Sequence, residues 1–214
     1  MNQVISINVG LPREFEYNGR LAKSAIWKSP IDGKVHAHGV NLEGDKQADL
    51  NAHGGYHKAV YAYAVEDISW WEKEIGRSIQ HGQFGENLTL CGVQVNDALI
   101  GERWKIGEVI LEVSEPRIPC WRFGVRMEDK TFPKKFTQAK RPGAYLRIIK
   151  EGTLEKGDKV EIIEKPNIKL SIRDVFEIYT QSHQNASRLL EATKLSSAWI
   201  SWAEETIKKH EQKA

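Results

Sequence analysis

The first three quarters of the chain consist largely of short apolar runs, most of them ended by Gly, Pro or Asn. Val, Ile, Tyr and Thr are common in these runs, and these residue types pack well on the pleated surface of a sheet. The pattern predicts strands at residues 4–10, 21–27, 34–40, 58–64, 87–93, 108–115, 144–150 and 158–164. Many short strands separated by turn residues are typical of a barrel or a closed sandwich.

Two segments within this β-rich region have the spacing of a helix instead. Residues 65–76 carry one apolar stripe and end at Gly76, a residue type that commonly ends a helix. Residues 129–140 predict only short helical turns, because Pro133 cannot donate a backbone hydrogen bond within a helix.

The character of the chain changes near residue 165, after which helical spacing replaces the strand pattern. Ser171 and Asp174 form a capping box ahead of an apolar run, which predicts a helix start. Two further helices are expected at residues 185–193 and 196–212. The predicted fold class is mainly β with α, with a β domain followed by a small C-terminal three-helix unit.

Composition places the chain among ordinary globular proteins, with 40% hydrophobic and 28% charged residues in 214. No apolar stretch of about 18 residues occurs, so we expect no membrane span. The first residues lack a basic segment followed by an apolar one, so we expect no secretory signal. Two cysteines, Cys91 and Cys120, are too few for a disulfide framework or a cysteine-ligated iron–sulfur cluster. We therefore expect a cytoplasmic protein.

Charge is distributed unevenly although the net charge is only +2. A net charge near zero does not indicate binding to a nucleic acid polymer. Residues 116–150, however, contain ten Lys and Arg residues against two acids, Glu128 and Asp129. This basic segment can be an ordinary solvated face. Because it contains Cys120, it also indicates a site for an anionic ligand or an acidic partner.

Cys120 lies in the sequence SEPRIPCWRFG, between Arg117 and Arg122. Pro119 suits the first position of a helix, which would put Cys120 in the first turn. There the helix dipole and the two arginines favour a thiolate, the form that ligates soft metals or attacks electrophiles. The alternative is a small buried core residue. Cys91, inside a strand-like run, is interpreted as structural.

The sequence NAHGGYHKAVYAY places Gly54 and Gly55 between two histidines. In the functional interpretation, His53 and Lys58 are donors around an anion that the glycines allow to come close. The alternative is a tight turn entering a strand. The spacing matches neither a Walker A loop nor a His-Glu-x-x-His motif.

Gly85, Glu86 and Asn87 precede a predicted strand in the sequence GQFGENLTL. Glu86 is a candidate general acid or base, and Asn87 can donate and accept hydrogen bonds at once. The alternative is a β-turn with a structural Asn. His36 and His38 lie on one face of a strand and could share a metal, the alternative being an exposed or structural pair.

Several well-known signatures are absent from the sequence. It contains no Gly-x-Gly-x-x-Gly, which disfavours a dinucleotide-binding fold. It has no Cys-x-x-Cys, which disfavours zinc ribbons and thioredoxin-like chemistry, and no Gly-x-Ser-x-Gly, which disfavours a serine nucleophile elbow.

Four stretches, taken in order, resemble the MOSC family, the molybdenum-cofactor sulfurase C-terminal-type domains, and its YiiM branch in particular. They are NLEGDKQADLNAHGGYHKAVYAY, GQFGENLTL, LIGERWKIGEVILEVSEPRIPCWRF and RPGAYLRIIKEG. The resemblance covers roughly residues 1–165 and implies a MOSC-type β-barrel domain there, with its core at about 28–164. Residues 166–214 look like the three-helix appendage common in that branch.

The resemblance implies binding of the molybdenum cofactor, a pterin dithiolene that carries molybdenum. Cys120 matches the family's protein ligand to the metal, and Asn87 matches an Asn beside the cofactor. His53 matches a histidine expected to line the same pocket. Related enzymes reduce N-hydroxylated nucleobases and amidoximes to the amine or amidine.

Further site residues follow from local chemistry within this resemblance. The basic side chains proposed for the pterin phosphate are Lys58, Arg117, Arg122 and Arg147. The glycines proposed for close approach to the cofactor are Gly54, Gly55 and Gly85. Proton delivery is expected from His53 or Glu86.

Electrons are expected from a separate protein of the ferredoxin- or flavoprotein-reductase type, since the chain has no flavin or nicotinamide signature. The basic segment 116–150 is the predicted docking face for that donor. Two alternatives stay open. One is a non-catalytic cofactor carrier or sulfur-transfer module; the other is a cofactor-free nucleophilic enzyme that uses Cys120 and His53, with Asp49 as the orienting group.

Overall fold

The computed structural model describes residues 1–48 and 54–212. Thirteen strands lie in the described chain before residue 165, the region in which the apolar runs predict strands. Their bounds are β1 (Gln3–Val9), β2 (Arg13–Tyr17), β3 (Arg20–Ser24), β4 (Ser29–Ile31), β5 (Val35–His38), β6 (Asn41–Leu42), β7 (Val60–Ala64), β8 (Leu88–Cys91), β9 (Arg103–Ile106), β10 (Val109–Pro116), β11 (Ala144–Lys150), β12 (Gly152–Leu154) and β13 (Val160–Glu164).

Helices lie between the strands and after them. The α-helices are α1 (Val65–Ile75), α2 (Trp121–Arg126), α3 (Phe132–Ala139), α4 (Ile172–Thr180) and α5 (Ser197–Glu211). Segments of 3-10 helix lie at Tyr56–Lys58, Val95–Asp97 and His183–Glu191. None of the helices in residues 1–48 and 54–212 has both the length and the apolar character needed to cross a membrane.

The largest sheet has the strand order β13-β9-β10-β11-β7-β8-β1-β4. Its neighbouring strands are antiparallel, except that β7 and β8 are parallel. The sheet curls until β1 meets the start of β13. The Val4 N–H donates to the Asp158 carbonyl at 2.9 Å, and the Val160 N–H donates to the Asn2 carbonyl at 2.9 Å. The predicted fold class, mainly β with α, is confirmed.

An aromatic cluster holds α1, α2 and α3 against the sheet. Phe123 of α2 packs edge-to-face on Phe132 and Phe136 of α3, with ring centroids 5.1 and 5.0 Å apart. Such pairs stabilise a core beyond the burial of their area. Because Phe123 follows Cys120 by three residues, this packing fixes the position of the first turn of α2.

The helices after residue 170 pack on the sheet and continue its core. The predicted capping box forms: the Asp174 N–H donates to Ser171 Oγ at 3.1 Å, and the Ser171 N–H donates to Asp174 Oδ2 at 2.9 Å. Val175 of α4 and Ala203 of α5 belong to the same apolar cluster as the strands. One core therefore runs through both predicted domains, and the division at residue 165 stays a prediction.

Candidate active site

Cys120 lies at the junction between the end of β10 and the start of α2. Its backbone is extended, with φ −124° and ψ 173°, and it is the residue that caps the helix. The Phe123 N–H donates to the Cys120 carbonyl oxygen at 3.0 Å. The helix thus begins at Trp121, so the interpretation that Pro119 starts the helix and Cys120 lies in its first turn is wrong. The extended backbone of Cys120 instead turns the chain from strand to helix.

The half-buried Cys120 lines a solvent-accessible cleft with a volume of about 100 Å³. The structure brings together most of the predicted site residues in this one cleft. Those in its wall are Lys58, Gly85, Asn87, Arg117, Cys120 and Arg122. They come from three separate motifs of the sequence, so the fold provides the convergence that the resemblance implies.

Arg117 is a cation fixed in the cleft wall. Its Nη1 donates to the Phe84 carbonyl oxygen. Its Cζ lies 4.1 Å from the ring centroid of Phe123 and 5.2 Å from that of Tyr61, distances at which ring faces attract a cation. Burial acts to lower the pKa of Arg117, but the facing phenols of Tyr61 and Tyr145 and the Cys120 sulfur outweigh it and raise that pKa. Arg117 therefore keeps its positive charge.

Asn87 joins several segments of the wall through hydrogen bonds of its side-chain amide. Its Oδ1 accepts from the Tyr61 N–H at 3.0 Å, and its Nδ2 donates to Asp45 Oδ2 at 2.9 Å and to the Asn8 carbonyl at 3.2 Å. These bonds tie β7, β1 and the segment at Asp45 together at the cleft. Asn87 therefore lines the cleft as predicted, and its side-chain amide forms hydrogen bonds that hold the wall together.

A buried ion pair in the cleft was missed by sequence reasoning. Lys28 donates to Asp45, and Asp45 Oδ1 also accepts from the Gly10 N–H at 2.8 Å. Burial lowers the pKa of Lys28, although the neighbouring Asp45 acts to raise it. The two residues are 17 apart in sequence and belong to no motif, so no sequence signal identified them.

The β2–β3 hairpin forms one side of the cleft and was not recognised as a unit from the sequence. Tyr17 of β2 stacks on Trp121, the residue after Cys120, with ring centroids 4.5 Å apart. Arg13 places its Cζ 3.7 Å from the centroid of Trp27. Lys23 of β3 reaches the cleft wall. The hairpin therefore contributes a basic side chain and contacts the helix that Cys120 caps.

Basic side chains dominate the cleft. Among the described residues of its wall, the only carboxylate is Asp45, which is already paired. The basic residues in the wall are Lys23, Lys28, Lys46, Lys58, Arg117 and Arg122. Clefts lined by one sign of charge concentrate ligands of the opposite sign, so the geometry suits an anion.

Glu86 is fully buried and is not among the described residues that line the cleft. Its Oε1 accepts from the Gly82 N–H at 2.5 Å and from Thr89 Oγ1 at 3.0 Å, and its Oε2 has no hydrogen-bond partner. Burial raises the pKa of the Glu86 carboxyl. Its neighbours Gly85 and Asn87 reach the cleft, while Glu86 points behind the wall. Its role in proton transfer stays a prediction.

The Gly-Gly motif is explained in part by packing against Gln47. The Gly55 N–H donates to Gln47 Oε1 at 2.6 Å, and Gly55 has φ +89°, which favours glycine. A Cβ on Gly54 would come within 2.3 Å of the same oxygen. Gly54 borders a second cavity rather than the cleft. His53 and Asp49 lie outside the described residues, so their predicted roles stay predictions.

The remaining sequence candidates lie away from the cleft. The rings of His36 and His38 stack with centroids 5.5 Å apart, and no group of three or more His, Cys, Asp or Glu suited to a metal occurs within residues 1–48 and 54–212. Arg147 is buried and bonds elsewhere: its Nε donates to His57 Nδ1 at 2.8 Å and its Nη1 donates to Glu112 Oε1 at 2.9 Å.

The second cavity adjoins the cleft at Cys120 and has a volume of about 560 Å³. It opens between the sheet and the C-terminal helices, so its wall includes residues separated by more than a hundred positions. Its aromatic residues are Tyr145, Tyr179, Trp199 and Trp202. The cleft and this cavity share Lys58, Ile118, Cys120 and Tyr145.

Comparison with known proteins shows relatives over nearly the whole chain. The profile described as MOSC domain matches residues 49–161. The uncharacterized protein YflK of Bacillus subtilis (strain 168) is 33% identical over 199 residues, which cover 92% of this chain and 90% of that protein. A protein named Reductase from Gibberella moniliformis is 30% identical over 196 residues, covering 90% of this chain but only 35% of that protein.

A solved structure has the same fold. The crystal structure of YiiM from Geobacillus stearothermophilus superposes with a TM-score of 0.80 and 30% sequence identity. The match covers 96% of this chain and 99% of that one, so it includes the C-terminal helices as well as the sheet.

Proposed function

Because the chain belongs to the MOSC domain family and is of the YiiM type, we propose that it binds the molybdenum cofactor and reduces N-hydroxylated compounds. The substrate class consists of N-hydroxylated nucleobases and amidoximes, and the products are the amine or amidine. The observation that carries the proposal is the cleft, in which the Cys120 thiol lies among basic side chains. The name of the fungal relative, Reductase, supports an oxidoreductase.

The residues of the cleft fit this cofactor chemically. A cysteine sulfur is a ligand that soft transition metals prefer, so Cys120 would hold the metal. The pterin phosphate is an anion, which Lys58, Arg117 and Arg122 would hold through charge-assisted hydrogen bonds. When bound, the cofactor supplies the two-electron and oxygen-transfer chemistry that no side chain of the protein can perform.

The chain's own residues then have to bind the substrate and deliver protons. The overall conversion consumes an N–OH group, two electrons and two protons, and yields N–H and water. His53 and Glu86 are the proposed proton donors. The raised pKa of Glu86 supports this role, because its carboxyl keeps a proton at a higher pH than an exposed Glu does.

A separate electron-donor protein of the ferredoxin- or flavoprotein-reductase type completes the proposal. The basic segment 116–150 is its proposed docking face, but two of its arginines, Arg117 and Arg147, are buried and unavailable to a partner. Lys130 and Lys134 are exposed near α2 and α3. Acidic groups on the donor would pair with these two lysines.

The proposal is tested by expressing the protein in a host that makes the cofactor. Molybdenum per chain and the fluorescence of oxidised pterin are measured for the wild type, Cys120→Ser and Cys91→Ser. We expect both signals in the wild type and in Cys91→Ser, and little of either in Cys120→Ser. Cys91 is the matched control because it is a half-buried strand residue outside the walls of both cavities.

Activity separates the proposed reductase from its alternatives. Loaded wild type is supplied with artificial electron donors and an N-hydroxylated base or an amidoxime. Bound cofactor without turnover of either would favour a carrier or sulfur-transfer module. A wild type that contains neither molybdenum nor pterin, from a host that loads other molybdoenzymes, would overturn the proposal and leave the Cys120–His53 nucleophile.

A further inference from the structure

We infer, on the premise that the proposed function holds, that the second cavity is the substrate site and that it binds a flat, uncharged nitrogen heterocycle between the sheet and α5. Cys120 is part of its wall, so a ligand there lies next to the residue proposed to hold the metal. Its volume of about 560 Å³ lies within the range of small-molecule sites. The cofactor and the substrate would thus occupy opposite sides of Cys120.

Aromatic rings give the cavity its preference for flat ligands. Tyr179 of α4 packs on Trp202 and Trp199 of α5, with ring centroids 4.9 and 5.1 Å apart. Tyr179 and Trp202 are only partly buried, so some of their ring surface faces the cavity. Every nucleobase has a π-face, and stacking on aromatic side chains is a common way to bind one.

Two polar groups in the wall give the cavity a donor and an acceptor. Because His57 Nδ1 accepts from Arg147 Nε at 2.8 Å, the ring is neutral and carries its proton on Nε2, as a donor. Burial, and then the Arg147 charge, lower the pKa of His57 in agreement with this geometry. The buried Glu115 carboxylate, 3.4 Å from Lys58 Nζ, is the acceptor. A ring nitrogen of a heterocycle can accept a hydrogen bond from His57, and an amino group of the heterocycle can donate one to Glu115.

The wall supplied by α5 is held to the sheet by a buried clamp. Nη2 of Arg147 donates to the Lys194 carbonyl oxygen at 2.5 Å, three residues before α5 begins. The same guanidinium bonds to Glu112 of β10 and to His57. The clamp therefore fixes the distance between the aromatic wall and the polar wall. The C-terminal helices act in this scheme as the part that selects the substrate.

The test uses two identical substitutions on one helix. Ser197 is exposed and lines the cavity, and Ser201 is exposed on the same helix but is not among the residues of that wall. Ser197→Trp fills the cavity, whereas Ser201→Trp places the same ring outside it. Cofactor-loaded wild type and both variants are titrated with adenine by calorimetry, with cyclohexanecarboxamide as the uncharged non-aromatic control ligand.

We expect adenine to bind the wild type and Ser201→Trp within about twofold of each other and Ser197→Trp at least about tenfold more weakly. Cyclohexanecarboxamide should bind none of them measurably. The molybdenum content should be equal in all three, because the cleft is untouched. A lower molybdenum content in Ser197→Trp, with folding intact, would show that the cavity holds cofactor and would overturn the inference.

A second pair of variants covers the case in which Ser197→Trp does not fold. Trp202→Ala removes a ring of the cavity and should weaken adenine binding about tenfold, as the loss of one stacking partner does. Trp70→Ala is the control, since Trp70 is a half-buried residue of α1 that lines a different groove. Equal adenine affinity in these two variants would overturn the inference.

The outcomes also separate this inference from the proposed function. A wild type that holds molybdenum but binds no adenine overturns the inference and leaves the cofactor proposal standing. A wild type without molybdenum that still binds adenine in a manner sensitive to Ser197→Trp supports the cavity and overturns the reductase. A wild type with neither property overturns both.

Discussion

The cleft and the second cavity meet at Cys120 but differ in chemistry. The cleft is lined by Lys and Arg from the β-rich region, and the only carboxylate among its described wall residues is already paired. The cavity is lined by aromatic rings and serines, and the only Lys or Arg among its described wall residues is Lys58, 3.4 Å from Glu115. The difference predicts an anion on one side of Cys120 and an uncharged flat ring on the other.

The two sites also differ in how they are built. The cleft wall comes mostly from five segments of the first 122 residues, and the hydrogen bonds of Asn87 join three of these segments directly. The cavity needs α5, whose wall residues lie between 196 and 202. Its geometry therefore depends on tertiary contacts between the sheet and the C-terminal helices, above all on Arg147.

Among the variants that test this comparison, Arg147→Met is expected to change the free energy of unfolding most. It removes the clamp and leaves Glu112 buried without its closest cation, so the free energy of unfolding should fall by about 3 kcal/mol. Arg103→Met is the matched control, because Arg103 also pairs with Glu112 but is partly exposed; its loss should cost about 1 kcal/mol or less. Denaturant unfolding measures both. Equal losses of unfolding free energy in the two variants would contradict the role of Arg147 as the clamp.

A smaller loss of stability is expected in the cleft from Arg117→Met. The Phe84 carbonyl would lose its donor, which should lower the free energy of unfolding by about 2 kcal/mol. Arg122→Met should leave the stability within about 0.5 kcal/mol of wild type, because Arg122 is half-buried and its cation lies over the Trp121 ring. Both variants should retain less molybdenum. Full molybdenum content in both variants would contradict the proposal that the cleft binds the anionic cofactor.

The smallest expected effect is on the pH dependence of stability, and it arises from His57 in the cavity wall. His57 has an ordinary pKa of 6.5 that is lowered in the folded protein, chiefly by burial and then by Arg147. Between the lowered pKa and 6.5 the unfolded chain binds a proton that the folded protein does not, so stability falls as the pH decreases through this window. His57→Gln should remove part of that fall, as measured by unfolding at a series of pH values.

His81 provides the comparison for this experiment. Its pKa is also lowered, by burial and by Lys156, and it lies in neither cavity wall. His81→Gln should remove a separate part of the pH dependence and leave adenine affinity unchanged. If the pH dependence of unfolding in His57→Gln equals that of the wild type, the neutral imidazole assigned to the cavity is wrong.

The sequence predicted most of the strands and the main helices because each rests on a local pattern, whereas the convergence on Cys120 was expected from the family resemblance. The apolar runs indicated β1, β7, β10 and β11, and the Ser171–Asp174 capping box indicated α4. The short strands β2 and β9 were not predicted, because their alternating apolar positions extend over only four or five residues. The apolar run at residues 21–27 indicated β3 but not its pairing with β2.

The parts of the site that escaped prediction depend on contacts between remote residues. The Lys28–Asp45 pair, the Arg147–His57 contact and the cavity under α5 each join segments that share no motif. Sequence reasoning selected His53 from the Gly-Gly motif, and this residue lies outside the described part of the chain. It did not single out His57, four residues later, which lies in a cavity wall.

The closure of the sheet has a consequence for how the protein is made. Residues 2–4 hydrogen bond to residues 157–160, so during synthesis β1 cannot complete its pairing until the chain has been made as far as residue 160. Pairings of such large sequence separation are slow to form, because a long loop must close first. Until then Val4, which is buried in the folded protein, stays exposed to other chains and to chaperones.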